Sequence, residues 1–169
     1  MLNARETNWR AARAPEGIVI DRPGVRVRAH AGLGRTLISG DLEAAVATLA
    51  PGAPMLGLFA LAPDGPHALR IARDRALLVT PEPLRAADGW RDGWCATSID
   101  DGWAAVEVAG DDAPFTLMQG TSADPAAGSP SAAVLFAGLR CLLVRTEAGF
   151  RLHLERPWLE ALLAWLDGA

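Results

Sequence analysis

Short alternations of apolar and polar residues, each bounded by turn residues, constrain this chain more than any other feature. Residues 25–28 read Val-Arg-Val-Arg directly after a Pro-Gly pair. A period of two places one face of a strand against a core and the other face in water. Similar short runs recur along the chain up to residue 155, with turn residues between them. The sequence therefore predicts a fold built mainly of antiparallel strands.

Strands are predicted in both halves of the chain. Residues 17–30 form two strands, and residues 55–83 contain three more strand candidates. Residues 95–110 are typical of a hairpin whose Asp101-Gly102 turn joins two strands, and residues 132–155 contain two or three strands. The first half is expected to be a helix packed on an antiparallel meander.

Helical spacing occurs in three segments. Residues 39–52 predict a helix that Asp41 or Ser39 caps and that a Pro-Gly pair ends, and residues 157–169 predict a final helix that begins at Pro157. Between them lies the sequence Gly-Asp-Asp-Ala-Pro at residues 110–114. We interpret this acidic pair as the joint between a strand and a helix, capped by Asp111, and not as a catalytic loop, because every residue has a structural role there.

Composition excludes several classes of protein. The chain has 169 residues and a formal net charge of −4, so the phosphate attraction that nucleic-acid binders need is missing. All 16 basic residues are arginines, which excludes a Schiff-base lysine or a phosphate-loop lysine. No stretch is long and apolar enough for a membrane span, and the start lacks the apolar segment of a signal peptide. We expect a cytoplasmic protein without nucleic-acid or membrane partners.

Residues that could carry chemistry are scattered. His30, His67 and His153 have no second ligand at helical or strand spacing, and Cys95 and Cys141 fit no paired metal-ligand motif. Cys141 lies in an apolar run, which favours a buried, inert thiol. No nucleophile motif accompanies these residues. The sequence predicts no catalytic residue and no metal site.

Two further patterns are weaker. Residues 30–40 contain Gly32 and Gly34 but lack a third glycine at the spacing of a dinucleotide-binding motif, so we predict a plain loop there. Arg145, Arg151 and Arg156 have the chemistry to bind a carboxylate or a phosphate. Arginines on strands more often form a solvated face or internal ion pairs, and we favour that interpretation.

Tryptophans give the candidate interaction sites. The chain is predicted as a single domain over residues 1–169, with two lobes at 15–88 and 95–169 as an option within it. Trp90 and Trp94 lie in the Pro- and Gly-rich connector between these lobes, and two indoles are costly to leave in water. Together with Trp158 they are the predicted partner-interface residues, because interfaces favour aromatic anchors.

Three stretches resemble known proteins. Residues 95–125 are similar to a segment of folate-dependent aminomethyltransferase-like proteins, in which a strand leads through a Gly-x-Asp-Ala turn (Gly110 to Ala113) into a short helix that ends in Gly120. Residues 131–166 resemble the end of the sarcosine oxidase gamma subunit, with its last strands and its Trp-containing helix. Residues 68–83 resemble a strand pair of the same family.

This resemblance implies a fold and a function. The implied fold is an α+β, two-layer sandwich of mainly antiparallel sheets with helices packed on one side, like the N-terminal domain of aminomethyltransferases. The implied function is that of a noncatalytic accessory subunit, which binds no cofactor alone and assembles with flavoprotein alpha and beta subunits. The complex would oxidise sarcosine in folate-linked one-carbon metabolism. The alternative is a stand-alone folate-binding or aminomethyltransferase-like protein that takes tetrahydrofolate itself.

Overall fold

Two six-stranded sheets dominate the computed structural model, which describes residues 15–84 and 88–169. Sheet A has the spatial order β1 (Gly17–Arg22), β2 (Val25–His30), β9 (Trp103–Ala109), β12 (Gly149–Glu155), β11 (Leu139–Arg145) and β10 (Ala133–Phe136). Sheet B has the order β4 (Met55–Leu56), β5 (His67–Ala72), β6 (Arg75–Thr80), β3 (Gly34–Gly40), β8 (Trp94–Ser98) and β7 (Gly89–Arg91). Neighbouring strands are antiparallel except β4 and β5, which are parallel.

Helices cover the outer faces of both sheets. Helix α1 (Leu42–Leu49) packs on sheet B, whereas α2 (Ala113–Gly120) and α3 (Leu159–Gly168) pack on sheet A. The layer order is therefore α1, sheet B, sheet A, and then α2 with α3. The α+β class and the antiparallel sheets predicted from the sequence are confirmed. The expectation of helices on one side is wrong, because each sheet has an outer apolar face that needs cover.

Alternation along the strands divides the core into three clusters. On β6, Ala76 and Leu78 face α1, whereas Leu77 and Val79 face sheet A. The strands of sheet A alternate in the same way. Buried residues of that sheet that face α2 and α3 include Val106, Val108, Leu143, Leu152 and Leu154. Both sheets are thus buried on two faces, which explains why several strands are apolar almost throughout.

Helix α1 follows the sequence prediction closely. The Asp41 carboxylate accepts a hydrogen bond from the Ala44 backbone N–H at 3.0 Å, which confirms it as the N-cap. Leu42, Ala45 and Val46 are buried against sheet B. This spacing of apolar residues gives the helix one covered side and one wet side.

Residues 30–40, predicted to be a loop, contain a strand instead. Strand β3 lies between β6 and β8 near the middle of sheet B, and Arg35, Thr36 and Ile38 are buried in it. The strand was not predicted, because the glycines at its ends are typical of a loop. Gly34 is needed because a Cβ at this position would overlap the Glu82 carbonyl and the Thr80 hydroxyl.

Residues 95–110 do not form the predicted hairpin. Strand β8 belongs to sheet B and β9 to sheet A, so the 3-10 turn at Asp100–Gly102 carries the chain from one sheet to the other. The backbone N–H of Ile99 donates to the Arg35 carbonyl at 2.8 Å before the crossing. The predicted lobes, 15–88 and 95–169, consequently do not correspond to the sheets: sheet A contains β1 and β2 from the first lobe, and sheet B contains β8.

The acidic stretch after β9 is a joint between a strand and a helix, as predicted. Asp111 and Asp112 are exposed, and α2 begins directly after them. The N-cap is Asp112 and not Asp111, and its side chain makes no capping hydrogen bond. The Asp112 backbone N–H instead donates to the Gly24 carbonyl at 2.9 Å, which ties the joint to the β1–β2 turn.

Candidate functional site

The three tryptophans singled out from the sequence differ in exposure. Trp90, on the edge strand β7, is 85% exposed, and Trp158 is 51% exposed. Trp94 is only 4% exposed and belongs to the core between sheet B and α1. The burial of Trp94 inside the chain's own core argues against a partner contact there. An interface role for Trp90 and Trp158 stays a prediction.

Polar residues meet between the sheets in a cluster that the sequence did not reveal. Pairing of β2, β9 and β12 places Arg28, Glu107 and Arg151 in one row, and the next row contains His30, Ala105 and His153. Arg35 of β3 and His67 of β5 approach the same space from sheet B. We call the following residues the inter-sheet polar cluster: His30, Arg35, His67, Glu107, Arg151 and His153.

Most charges in the inter-sheet polar cluster are paired. Arg151 Nη2 donates to Glu107 Oε2 at 3.0 Å, and His30 Nε2 lies 3.9 Å from the same oxygen. Arg35 donates to the carbonyls of Leu33 at 3.3 Å and Asp100 at 3.1 Å. Its guanidinium therefore ties the loop before β3 to the crossing between the sheets. These contacts give both arginines a structural role.

The histidines of the cluster are held neutral. Burial lowers the pKa of His153 well below its ordinary value, and nearby positive charges act in the same direction. Burial also lowers the pKa of His67, although its Nδ1–H donates to the Gly65 carbonyl at 2.8 Å. The pKa of His30 is lowered by burial and by Arg151, against the opposing effect of Glu107. His153 is fully buried, and neither of its ring nitrogens has a hydrogen-bond partner among the described residues.

One side of the inter-sheet polar cluster opens into a cleft of about 440 Å³. Its wall includes Arg26, Arg28, His30, Glu107 and Arg151. Arg28 is exposed, and no described carboxylate lies within 4 Å of it. The volume of the cleft is sufficient for a small ligand, and Arg28 is its available cation among the described residues.

Metal and thiol chemistry have little support in this part of the molecule. Within residues 15–84 and 88–169, no group of three or more His, Cys, Asp or Glu side chains is placed to hold a metal ion. Cys141 is buried, as predicted, and burial raises the pKa of its thiol to about 12. A thiol with that pKa is protonated at neutral pH and is therefore a poor nucleophile.

The inter-sheet polar cluster was not predicted from the sequence, because its histidines are far apart along the chain. His30 and His153 lie on one face of sheet A only because β2 and β12 both pair with β9. The alternation of polar and apolar residues along β2 did indicate part of the cluster, since Arg26, Arg28 and His30 share one face of this strand. That face was predicted to be wet, and the structure instead turns part of it toward sheet B, which leaves His30 partly buried.

Comparisons with known proteins give a likeness of fold. No protein-family model matches the sequence, and no curated protein sequence matches it. A chain of the heterotetrameric sarcosine oxidase from Corynebacterium sp. U-96, solved in complex with pyrrole 2-carboxylate, has a similar structure with a TM-score of 0.71. The match covers 89% of this chain and 86% of that chain at 19% sequence identity. The two chains share a fold over nearly their whole lengths.

No helix in the described ranges is both long and apolar enough to cross a membrane.

Proposed function

We propose that this chain is a noncatalytic accessory subunit of a heteromeric, sarcosine oxidase-like complex. The observation that carries the proposal is the fold shared with a chain of heterotetrameric sarcosine oxidase, at a TM-score of 0.71 and over 86% of that chain. The sequence resemblance of residues 68–83 and 131–166 to the sarcosine oxidase gamma subunit supports the same assignment.

The environment of the chemically capable residues supports an accessory role. A general base or acid has to come within hydrogen-bond distance of its substrate. His153 is fully buried between the sheets, and Arg35 is only 3% exposed and is engaged by backbone carbonyls. Arg151 is paired with Glu107. His153 and Arg35 are therefore closed off from a substrate, and Arg151 is engaged by a carboxylate of its own sheet.

In this proposal the flavin belongs to the alpha and beta partners, and the complex passes the one-carbon unit of sarcosine to tetrahydrofolate. The chain itself provides a surface that the partner subunits contact. Exposed large apolar side chains are available on several faces, among them Trp90, Phe115, Met118, Leu135 and Trp158. Apolar side chains of this size are the usual anchors of protein interfaces.

The test is purification of the tagged, full-length chain from its native host, with an untagged strain as control. We expect stoichiometric flavoprotein chains by mass spectrometry, a visible flavin absorption spectrum, and sarcosine-dependent reduction of that flavin. A colourless chain that elutes alone would contradict the proposal. A flavoprotein complex that does not oxidise sarcosine would keep the accessory role and refute the sarcosine oxidase assignment.

A second candidate, a stand-alone folate binder, is favoured by the cleft beside the inter-sheet polar cluster. Arg28 is free there to pair with a ligand carboxylate. Ligand at 100 times its Kd stabilises a protein by about 2.7 kcal/mol. A tetrahydrofolate titration of the isolated chain should then raise the Tm, and Arg28→Ala should abolish the rise while Arg140→Ala does not. A Tm that stays flat across the titration would eliminate this candidate.

A further inference from the structure

Two hollows at one end of the sandwich adjoin each other at Trp103 and Glu155, which line both. The first hollow has a volume of about 890 Å³ and lies between the crossing from β8 to β9 and the start of α3. The second has a volume of about 650 Å³ and lies between the edges of the two sheets, beside β10. We call these two adjoining hollows together the Trp103 surface.

Apolar side chains line most of the Trp103 surface. Ile99, Leu159 and Leu163 belong to the first hollow, and Ile71 and Leu135 to the second. Leu135 is 64% exposed. Trp158 lies in the chain between two residues of the first hollow, and it is also half exposed. Large apolar side chains that are exposed beside a depression more often mark an interaction site than an accidental arrangement of surface residues.

The charges around the first hollow indicate the chemistry of the occupant. Among the described residues, three carboxylates, those of Asp101, Glu155 and Glu160, line it with a single cation, Arg156. Arg156 Nη2 lies 3.7 Å from Asp101 Oδ1, and no described cation lies within 4 Å of Glu155 or Glu160. The second hollow is lined by Arg75 and Arg140 beside Glu155, so the excess of carboxylates is confined to the first hollow. There, two carboxylates beside an apolar depression attract a lysine or arginine carried by an apolar segment.

We propose that the Trp103 surface is the docking site for a partner subunit, which inserts a segment of large apolar side chains with at least one lysine or arginine placed against Glu155 and Glu160. This inference rests on the proposed function, because it takes the partner to be a flavoprotein chain of the complex.

The test compares matched variants in the tagged complex from the native host. Glu160→Arg reverses a charge on the surface, and Glu43→Arg makes the same change at an exposed position of α1, in the opposite outer layer. Trp158→Ala removes an indole beside the surface, and Leu61→Ala removes an exposed apolar side chain that lines neither hollow. The readout is the flavin absorbance recovered per mole of tagged chain.

We expect Glu160→Arg and Trp158→Ala each to lower flavin recovery about tenfold or more, a loss typical of interface anchors, while the two controls remain near wild type. Far-UV circular dichroism and the Tm verify that each variant is folded. Should Trp158→Ala fail to fold, Leu135→Ser replaces it, because Leu135 is largely exposed. A photoreactive amino acid at position 135 should also cross-link to a basic, apolar peptide of the flavoprotein chain.

The outcomes separate this inference from the proposed function. Normal recovery with Glu160→Arg and Trp158→Ala, whatever the controls show, would overturn the docking site and leave the accessory role intact. A cross-link to a second copy of the chain, or to residues 1–14 of the same chain, would overturn the partner assignment for this surface. If the wild-type chain recovers no flavoprotein at all, the proposed function fails, and the docking site fails with it.

Discussion

Replacement of His153 by leucine should weaken the pH dependence of stability. The imidazole is fully buried between the sheets, opposite Leu142 of β11, and close enough to His67 and Arg151 for their charges to lower its pKa further. The folded state therefore holds His153 neutral, whereas the unfolded chain protonates it with the ordinary pKa of 6.5. Below that pH the unfolded state binds more protons than the folded state, so acid favours unfolding.

The sign and size of the effect follow from this difference. Because the folded-state pKa is lowered, the full stability is present above about pH 6.5 and is lost as the pH falls from 6.5 toward the folded-state pKa. At pH 5.5 the unfolded chain gains about 1.4 kcal/mol from protonating one such histidine. His30 and His67 are shifted in the same direction, so the wild-type chain should lose between about 1.4 and 4 kcal/mol from pH 7.5 to 5.5.

The assay is urea unfolding of the wild-type chain and of His153→Leu at pH 7.5 and 5.5, followed by circular dichroism. The variant should lose about 1.4 kcal/mol less than the wild type over this interval, equivalent to roughly 3–5 °C in Tm. It should be no less stable at pH 7.5, because leucine removes ring nitrogens that have no partner among the described residues. As a control, His30→Gln should change the pH dependence less, since Glu107 opposes the lowering of the His30 pKa. Equal losses in wild type and His153→Leu would refute the reasoning.

Three other changes test the packing. Trp94→Ala should destabilise the chain by about 3–5 kcal/mol in urea, because the indole is part of the core under α1; a loss below about 1 kcal/mol would place it at the surface. Gly110→Ala should be destabilising in the same assay, since φ is +110° and a Cβ would overlap the Gly24 carbonyl, whereas Gly65→Ala, in open space, should be nearly neutral. Native Cys141 should resist iodoacetamide at pH 8 and react only after unfolding, because its pKa is raised to about 12; modification at the rate of the partly exposed Cys95 would contradict this.

Local elements were predictable because their signals lie within a few residues. The Pro23-Gly24 turn between β1 and β2 formed where the sequence placed it, and Gly24 adopts a φ of +75°. The Asp41 cap and the apolar spacing of α1 were equally local. The turn between β10 and β11 uses Ala137 and Gly138, both with positive φ.

The assignment of strands to sheets was not predictable from those signals. Asp101-Gly102 has the composition of a hairpin turn, yet the strands on either side of it belong to different sheets. A turn motif reports only that the chain changes direction. The sheet that the next strand joins depends on pairings such as that of Arg28 with Glu107, two residues that are far apart in the sequence.

The candidate sites divide in the same way. Aromatic composition drew attention to three tryptophans, but exposure distinguishes Trp94, in the core, from Trp90 and Trp158. The Trp103 surface combines residues from β8–β9, β12, α3 and β10. No single stretch of sequence contains enough of these residues for the surface to be predicted.

The sequence by itself determined the α+β class, most strand and helix positions, and the turns, since each depends on backbone preferences and on alternation between near neighbours. Only the tertiary structure decided that helices cover both sides, that β3 completes sheet B, and that His30, His67 and His153 meet between the sheets. The physical reason is that burial and strand pairing are shared by residues distant in the chain. The free energy of burial and of strand pairing depends on how the layers pack together and not on any local sequence pattern.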